Sequence, residues 1–242
     1  MKFTKIPSDA FQKLAINAGV IMRQFDPTAT SASIYRGYII GATTGGITMT
    51  ATPTFADFGE DIDNCAKNTK ELKRITEYDI KVSGTFVTVD PKVAKQLLAA
   101  SDITVTVGKA TTDTSVVVAK TYYTRTGSGT TQSPYVYTEV ANPVASSLSS
   151  YYEAVESKIV PRQKLVTDDF ADIWFVGDYS DKTADATGGF VACKIKNALS
   201  TGGWSFVTAD AEKGKFAFEF TAHYSISNPD AVPLEVYIHT GA

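Results

Sequence analysis

Histidine and cysteine are scarce in this 242-residue chain, with two of each. Cys65 and Cys193 stand far apart and have no His or Cys at ligand spacing. That excludes a metal knuckle or a disulfide framework and predicts two reduced thiols in a cytosolic fold. His223 and His239 fall on the polar sides of alternating stretches, as surface or interface histidines do. No Gly-x-Ser-x-Gly, His-Glu-x-x-His or Gly-Lys-Ser/Thr motif occurs, so nothing marks a nucleophile elbow, a zinc helix or a phosphate cradle. Gly45-Gly46 and Gly202-Gly203 lack the helix start that would make them anion sites and read as turns or strand starts. Asp57, Glu60, Asp61 and Asp63 form an acidic run without calcium-loop spacing or a terminal bidentate glutamate. The expectation is therefore a protein that is not an enzyme, with no catalytic residues, no cofactor and no metal. Basic excess is missing too: a net charge of -3 and a pI near 5.4 argue against a dedicated nucleic-acid binder. No apolar run reaches a membrane span, and Met1-Lys2-Phe3-Thr4-Lys5 leads into no signal-peptide core, so the reading is a soluble product of a cytoplasm.

What is present is β patterning. A hydrophobic content of 43% supports a real core, in one large β domain or two small ones. From Gly45 to Val89 two stretches alternate apolar and polar side chains with period two, as strands with one packed and one wetted face do. Ile47, Met49 and Ala51 with Tyr78, Ile80, Val82 and Phe86 form the apolar sides. Thr48, Thr50, Thr52 and Thr54 with Asp79, Lys81, Ser83 and Thr85 form the polar ones. Hairpins normally close in two to five residues, yet this connection runs to about twenty, which marks it as functional or disordered. It is acidic first, through Asp57, Glu60, Asp61 and Asp63, and basic second, through Lys67, Lys70, Lys73 and Arg74. Such a loop is built to touch another molecule.

Elsewhere Ser8–Ile16 reads as a short helix with Gly19 as its stop, and Val20–Phe25 and Ile34–Ala42 read as strands. Asp90-Pro91 opens the strongest helix, with Val93, Ala94, Leu97 and Leu98 as its apolar stripe. Ile103–Val107 alternates as a strand. Residues 109–157 then turn rich in Thr, Ser, Tyr and Gly, which suggests a small β module, with a floppy surface insertion as the alternative. Strands follow at Phe170–Val176, Phe190–Ile195, Trp204–Val207 and Lys215–Ile226, where Phe216, Phe218, Phe220 and Tyr224 are expected to anchor the core. Leu234, Val236 and Ile238 share a side of a terminal strand. The fold class expected is mainly β, with one or two short helices and a long hairpin.

Several segments in order resemble the major tail tube proteins of long-tailed, non-contractile bacteriophages. They are Thr44-Gly45-Gly46-Ile47, Phe58–Asn64 with Asn68-Thr69-Lys70, Ser83-Gly84-Thr85-Phe86, Asp168–Trp174, Ile195–Gly203, Lys213-Gly214-Lys215 and Phe220–Ser225. The resemblance covers residues 1–108 and 158–242, taken as one discontinuous tail tube domain, with 109–157 as an inserted accessory module. It implies a β-sandwich or barrel-like subunit that assembles with itself into rings, in the family six-membered. The rings stack into a hollow tube around a tape-measure protein, ending at a tail terminator and at baseplate or tail-tip proteins. DNA would be a partner only in transit, no membrane would be involved, and the protein would reside in the virion tail after assembly in the host cytoplasm.

On that reading the polar faces, Thr48, Thr50, Thr52, Thr54, Asp79, Lys81, Ser83 and Thr85, line the bore. Hydroxyls with balanced charges would not hold phosphates as a basic surface would. The loop carrying Asp57, Glu60, Asp61, Asp63, Lys67, Lys70, Lys73 and Arg74 would contact the next ring, mobile in the monomer and ordered in the tube. Two other readings stay open: the inner tube of a contractile tail or phage-derived bacteriocin, and a phage surface-binding or decoration module that uses the tyrosines at 122–152.

Overall fold

A computed structural model describes residues 19–28, 39–60, 62–116, 120–140, 143–178 and 189–239. The expected helix at Ser8–Ile16 and most of the expected strand at Ile34–Ala42 lie outside these residues. The fold is mainly β, with 51% strand against 8% helix, so strand pairing rather than helix packing organises it. The chain divides into a unit of residues 1–100 with 164–242 and a smaller unit of residues 101–163.

The larger unit is built on a long ribbon. Strand β2 (Thr43–Asp57) and strand β3 (Lys73–Phe86) pair antiparallel over almost their whole length. Around them stand β1 (Val20–Met22), β8 (Ala171–Asp178), β9 (Phe190–Ser200), β10 (Ser205–Val207), β11 (Lys215–Thr221) and β12 (Leu234–His239). The eight-stranded sheet runs β1-β8-β9-β11-β3-β2, with β12 added beside β9 and β10 beside β11, and it curls into a half-barrel. Every pairing in it is antiparallel.

The concave filling follows from the alternation. Ile80, Val82 and Phe86 from β3, Phe218 and Phe220 from β11, and Ile173 and Ile195 from β8 and β9 are buried together. Helix α1 (Pro91–Leu97) adds Val93 and Leu97 to the same cluster. The helix begins where the sequence predicts, because Asp90 accepts the Val93 amide at 2.7 Å and Pro91 gives up no needed N–H. At its other end the buried Ser200 hydroxyl donates to the Leu97 carbonyl at 3.0 Å, satisfying a group the helix leaves open. A second cluster, Met22, Trp174, Val176 and Ala192 with Phe25 and Tyr237, covers the opposite face of β1, β8 and β9.

Two aromatic expectations need correction. Tyr224 is not a core anchor: β11 stops at Thr221, and Tyr224 stays exposed with its hydroxyl accepting the Tyr78 amide at 2.8 Å. Leu234 packs on the core, and Val236 and Ile238 on the same side of β12 are exposed. His223 is part-buried rather than on the surface, held through Nδ1 against the Asn197 carbonyl at 3.2 Å.

Gly84 marks the tightest point of the ribbon. A Cβ there would lie 2.8 Å from the Phe218 ring, which itself stacks on Phe86 at 4.2 Å. Gly84→Ala is expected to destabilise the protein by about 1–3 kcal/mol, the usual cost of overpacking, as a lower urea midpoint at unchanged slope. A neutral result would show that the Phe218 ring gives way freely.

The smaller unit is a four-stranded antiparallel sheet of β4 (Ser101–Ala110), β7 (Tyr152–Pro161), β5 (Tyr122–Thr126) and β6 (Val136–Glu139), in the order β4-β7-β5-β6. The boundaries expected at 108/109 and 157/158 fall inside β4 and β7. These strands pair from Ser101↔Pro161 to Ala110↔Tyr152, so Ile103–Val107 belongs to this unit and not to the larger one. Tyr122, Leu148 and Tyr151 form its small core.

An ionic cluster sits at the edge of that core. The Tyr122 hydroxyl donates to Asp113 at 2.7 Å, and Lys120 reaches Asp113 at 2.9 Å and Glu153 at 3.2 Å. The Tyr122 hydrogen bond, then Lys120, holds the Asp113 carboxyl below its ordinary value, and the Thr111 hydroxyl and Lys120 do the same for Glu153. Bonds to the same two carboxylates raise the Lys120 ammonium. Depressed carboxyls contribute stability above their unfolded pKa of about 4, and that contribution disappears as pH falls through the folded value. The raised lysine contributes at all pH values below about 10.4 and loses its share only above that. Tyrosine near-ultraviolet dichroism from this unit is therefore expected to weaken below about pH 4 and to hold flat from pH 5 to 9. Loss of signal starting near pH 6 would point to a different group.

Candidate functional site

The register of the ribbon assigns every residue to a side. Thr48 lies opposite Ser83, Thr50 opposite Lys81, Thr52 opposite Asp79 and Thr54 opposite Glu77. Directly opposed residues share a face, so seven of the eight expected polar residues form one continuous stripe. Thr85 meets Thr44 beyond a bulge made by Gly45 and Gly46, whose φ values of 75° and 84° suit glycine. All four threonines are exposed, as is Asp79; Lys81, Ser83 and Thr85 are half-buried.

The stripe is wider than the sequence reading placed it. β11 sets Glu219 against Ser83 and Thr221 against Lys81, and the Thr201 hydroxyl joins Glu219 at 3.0 Å and Thr221 at 2.8 Å. Glu219, Thr221 and Thr201 were missed because membership in the face depends on which strand neighbours β3, not on local alternation. The signal available was the polar half of the Lys215–Thr221 alternation. Lys81 and Asp79 pair along the strand at 2.8 Å, and that bond raises the Lys81 ammonium, with Glu219 adding a smaller effect. The surface is thus rich in hydroxyls, with its charges of both signs close together.

Beyond Thr54 the ribbon leaves the body of the unit. An extra residue in β3, Thr76, bulges there and donates its hydroxyl to the Thr54 carbonyl at 3.1 Å. The apolar side continues outward as Phe55 opposite Ile75 and then Asp57 opposite Lys73. With no core beneath, Phe55 and Ile75 are about half exposed, at 52% and 48%. Phe58 and Ile62 in the connecting loop are exposed as well, at 59% and 51%. Composition emphasised charge on this arm; the structure adds an apolar tip.

The loop, residues 58–72, has more internal order than its composition suggests. Asp57 accepts the Asn68 amide at 2.7 Å and the Gly59 amide at 3.0 Å, and these bonds hold its carboxyl below the ordinary value. Gly59 is buried against Leu72 and Cys65, and the Phe58, Ile62, Cys65 and Leu72 amides all bond within the arm. Its turns take left-handed positions at Asn64 and Asn68, which suit asparagine. Glu60 pairs with Lys67 at 3.3 Å and Lys70 with Glu71 at 3.5 Å, while Lys73 bonds Asn68 and lies 5.0 Å over the Phe55 ring. Asp63 and Arg74 are exposed at the tip, and Asp61 lies outside the described residues. The arm therefore brings the expected contact residues together, although many of its charges are already paired with one another.

Among the described residues no three His, Cys, Asp or Glu side chains converge as metal ligands would. Both cysteines are free, and burial pushes the Cys193 thiol up. What this surface offers chemically is association, through hydroxyls, paired charges and exposed apolar side chains. No family model matches the chain, and no curated protein matches it.

Proposed function

We propose that this protein is a self-assembling structural subunit of a phage tail tube, whose copies form rings that stack into a hollow conduit for the genome. The observation that carries the reading is the exposed outer edge of β2. It is a 15-residue strand with a partner on one side only among the described residues, at the margin of a sheet already curled into a half-barrel. Long unpaired edges recruit further strands, and closure into a barrel removes them. Repetition of one head-to-tail contact gives a ring when its rotation closes. In such a ring the stripe of Thr48, Thr50, Thr52 and Thr54 with Asp79, Lys81 and Ser83 faces the bore, with Thr85 beyond the bulge, and the arm at 58–72 reaches toward the next ring. The tape-measure protein, terminator and tail-tip proteins are the further partners this reading calls for, with DNA passing through.

Electron microscopy of the purified chain tests it directly. Long hollow tubes are the expected result; a monomer that persists at high concentration, seen by sedimentation velocity, would overturn it. An inner tube of a contractile tail or bacteriocin would form the same tubes and differ in binding a sheath. One observation favours a surface-binding module instead: in the smaller unit Arg125 lies 4.3 Å over Tyr135 and 4.5 Å over Tyr152, with Tyr137 edge-on to Tyr152. That reading predicts persistent monomers in the same experiment.

A further inference from the structure

The strand register puts two exposed apolar clusters at opposite ends of one ribbon. At the outer end lie Phe55, Phe58, Ile62 and Ile75. At the other end β3 finishes at Phe86, which is opposed by Phe216 of β11, which in turn is opposed by Phe206 of β10. Trp204 and Phe206 are exposed there at 43% and 52%, with Phe206 stacked on Phe216 at 4.4 Å and Trp204 edge-on to it at 5.4 Å. From Lys73 to Phe86 the strand spans about 40 Å at the usual rise per residue. The two clusters are therefore too far apart to cover each other within one chain.

The charges at the two ends are complementary. At the tip, Arg74 and Asp63 are exposed and make no ion pair among the described residues; at the far end the same holds for Asp210 and Lys213. Each end thus offers one uncompensated charge of each sign beside exposed aromatic and aliphatic side chains. Apolar clusters of this kind, rimmed by charge, mark association surfaces. Because the two clusters differ and stand at opposite ends, a contact between them is heterologous and leaves a free tip and a free receiving surface at the ends of every assembly. It propagates along the ribbon direction without closing.

We infer that the Phe55–Phe58–Ile62–Ile75 tip of one copy docks on the Trp204–Phe206 surface of a second copy, with Arg74 meeting Asp210. This rests on the proposed self-assembly and names the receiving side of its ring-to-ring contact. Burial of each phenylalanine favours association, so removing two from the tip raises the concentration needed for elongation by at least about tenfold.

The test uses the full chain in three forms: wild type, a tip variant with Phe55→Ser and Phe58→Ser, and a receiving variant with Trp204→Ser and Phe206→Ser. Circular dichroism confirms that each is folded. Neither variant is expected to elongate alone. Mixed one to one, they are expected to stop after a single contact, because only the intact tip of one can meet the intact surface of the other. As a check independent of β10 packing, Arg74→Asp and Asp210→Arg are each expected to raise the elongation concentration about fivefold, and their combination to restore it. Hollow tubes from wild type and from both variants would overturn the docking and leave the tubular reading standing. Solid fibres from wild type that both variants abolish would support the docking and overturn the tubular reading. A wild type that never associates would overturn both.

Discussion

Phe86→Ala is expected to cost the larger unit about 3–5 kcal/mol, the range for emptying a buried aromatic site. Natural domains hold only about 5–15 kcal/mol in reserve, so the variant should be partly unfolded at physiological temperature. The position explains the size of the effect. Phe86 is fully buried, sits at the register point where β2, β3 and β11 meet, and stacks on Phe218 at 4.2 Å. The lost side chain leaves a cavity between strands that are held by their ladders and cannot collapse onto it. Phe86→Leu, which keeps most of the volume, is expected to lose less than half as much. Urea unfolding followed by tryptophan fluorescence reads both, since Trp174 and Trp204 lie in the same unit. A loss below about 1 kcal/mol for the alanine variant would mean that the sheet does not converge on this residue.

If the proposed tube forms, replacing Thr48, Thr50 and Thr52 by lysine is expected to turn an assembly that lets DNA pass into one that holds it. All three side chains are exposed and in line on one strand, so the subunit should fold nearly as well; surface changes of this kind usually stay within about 0.5 kcal/mol each. Around a ring the added cations multiply. Each neutralised phosphate makes binding steeply salt-dependent, so the lysine assembly should retain DNA at 50 mM salt and release it by 200 mM, a change of about 10³-fold or more. Wild-type assemblies should show no such retention, because Lys81 is already engaged by Asp79 and Glu219 stands beside Ser83. A lysine variant that folds, assembles and still ignores DNA would show that this face does not look into the conduit. Lysines placed at Thr104 and Thr106 of β4, in the smaller unit, provide the control.

Much of this architecture was written in the sequence. Period-two alternation located β3 and β11, and a cap with proline placed α1 where its Asp90–Val93 bond is found. These features are local: a strand face or a helix start needs only neighbours in the chain, so residue order carries it. The polar stripe on the ribbon was legible for the same reason, since Thr48, Thr50 and Thr52 select their side by spacing alone.

Other properties needed contacts between distant residues. Glu219, Thr221 and Thr201 join the stripe only because β11 pairs with β3 and β9 ends against β11, and local alternation cannot state which strands become neighbours. The same alternation that buries Ile80 leaves Phe55 and Ile75 exposed, because exposure depends on where the core ends and not on which side a residue faces. Tyr224 misled because β11 ends at Thr221, before reaching it. The unit boundary at 101–163 likewise follows from β4 pairing with β7 across some fifty residues of chain. By itself the sequence determined which side of each strand is apolar and where the strongest helix starts. Tertiary structure alone decided which of those apolar sides are covered, since covering requires a partner brought in from elsewhere, and the sides left bare are the ones that a second copy can meet.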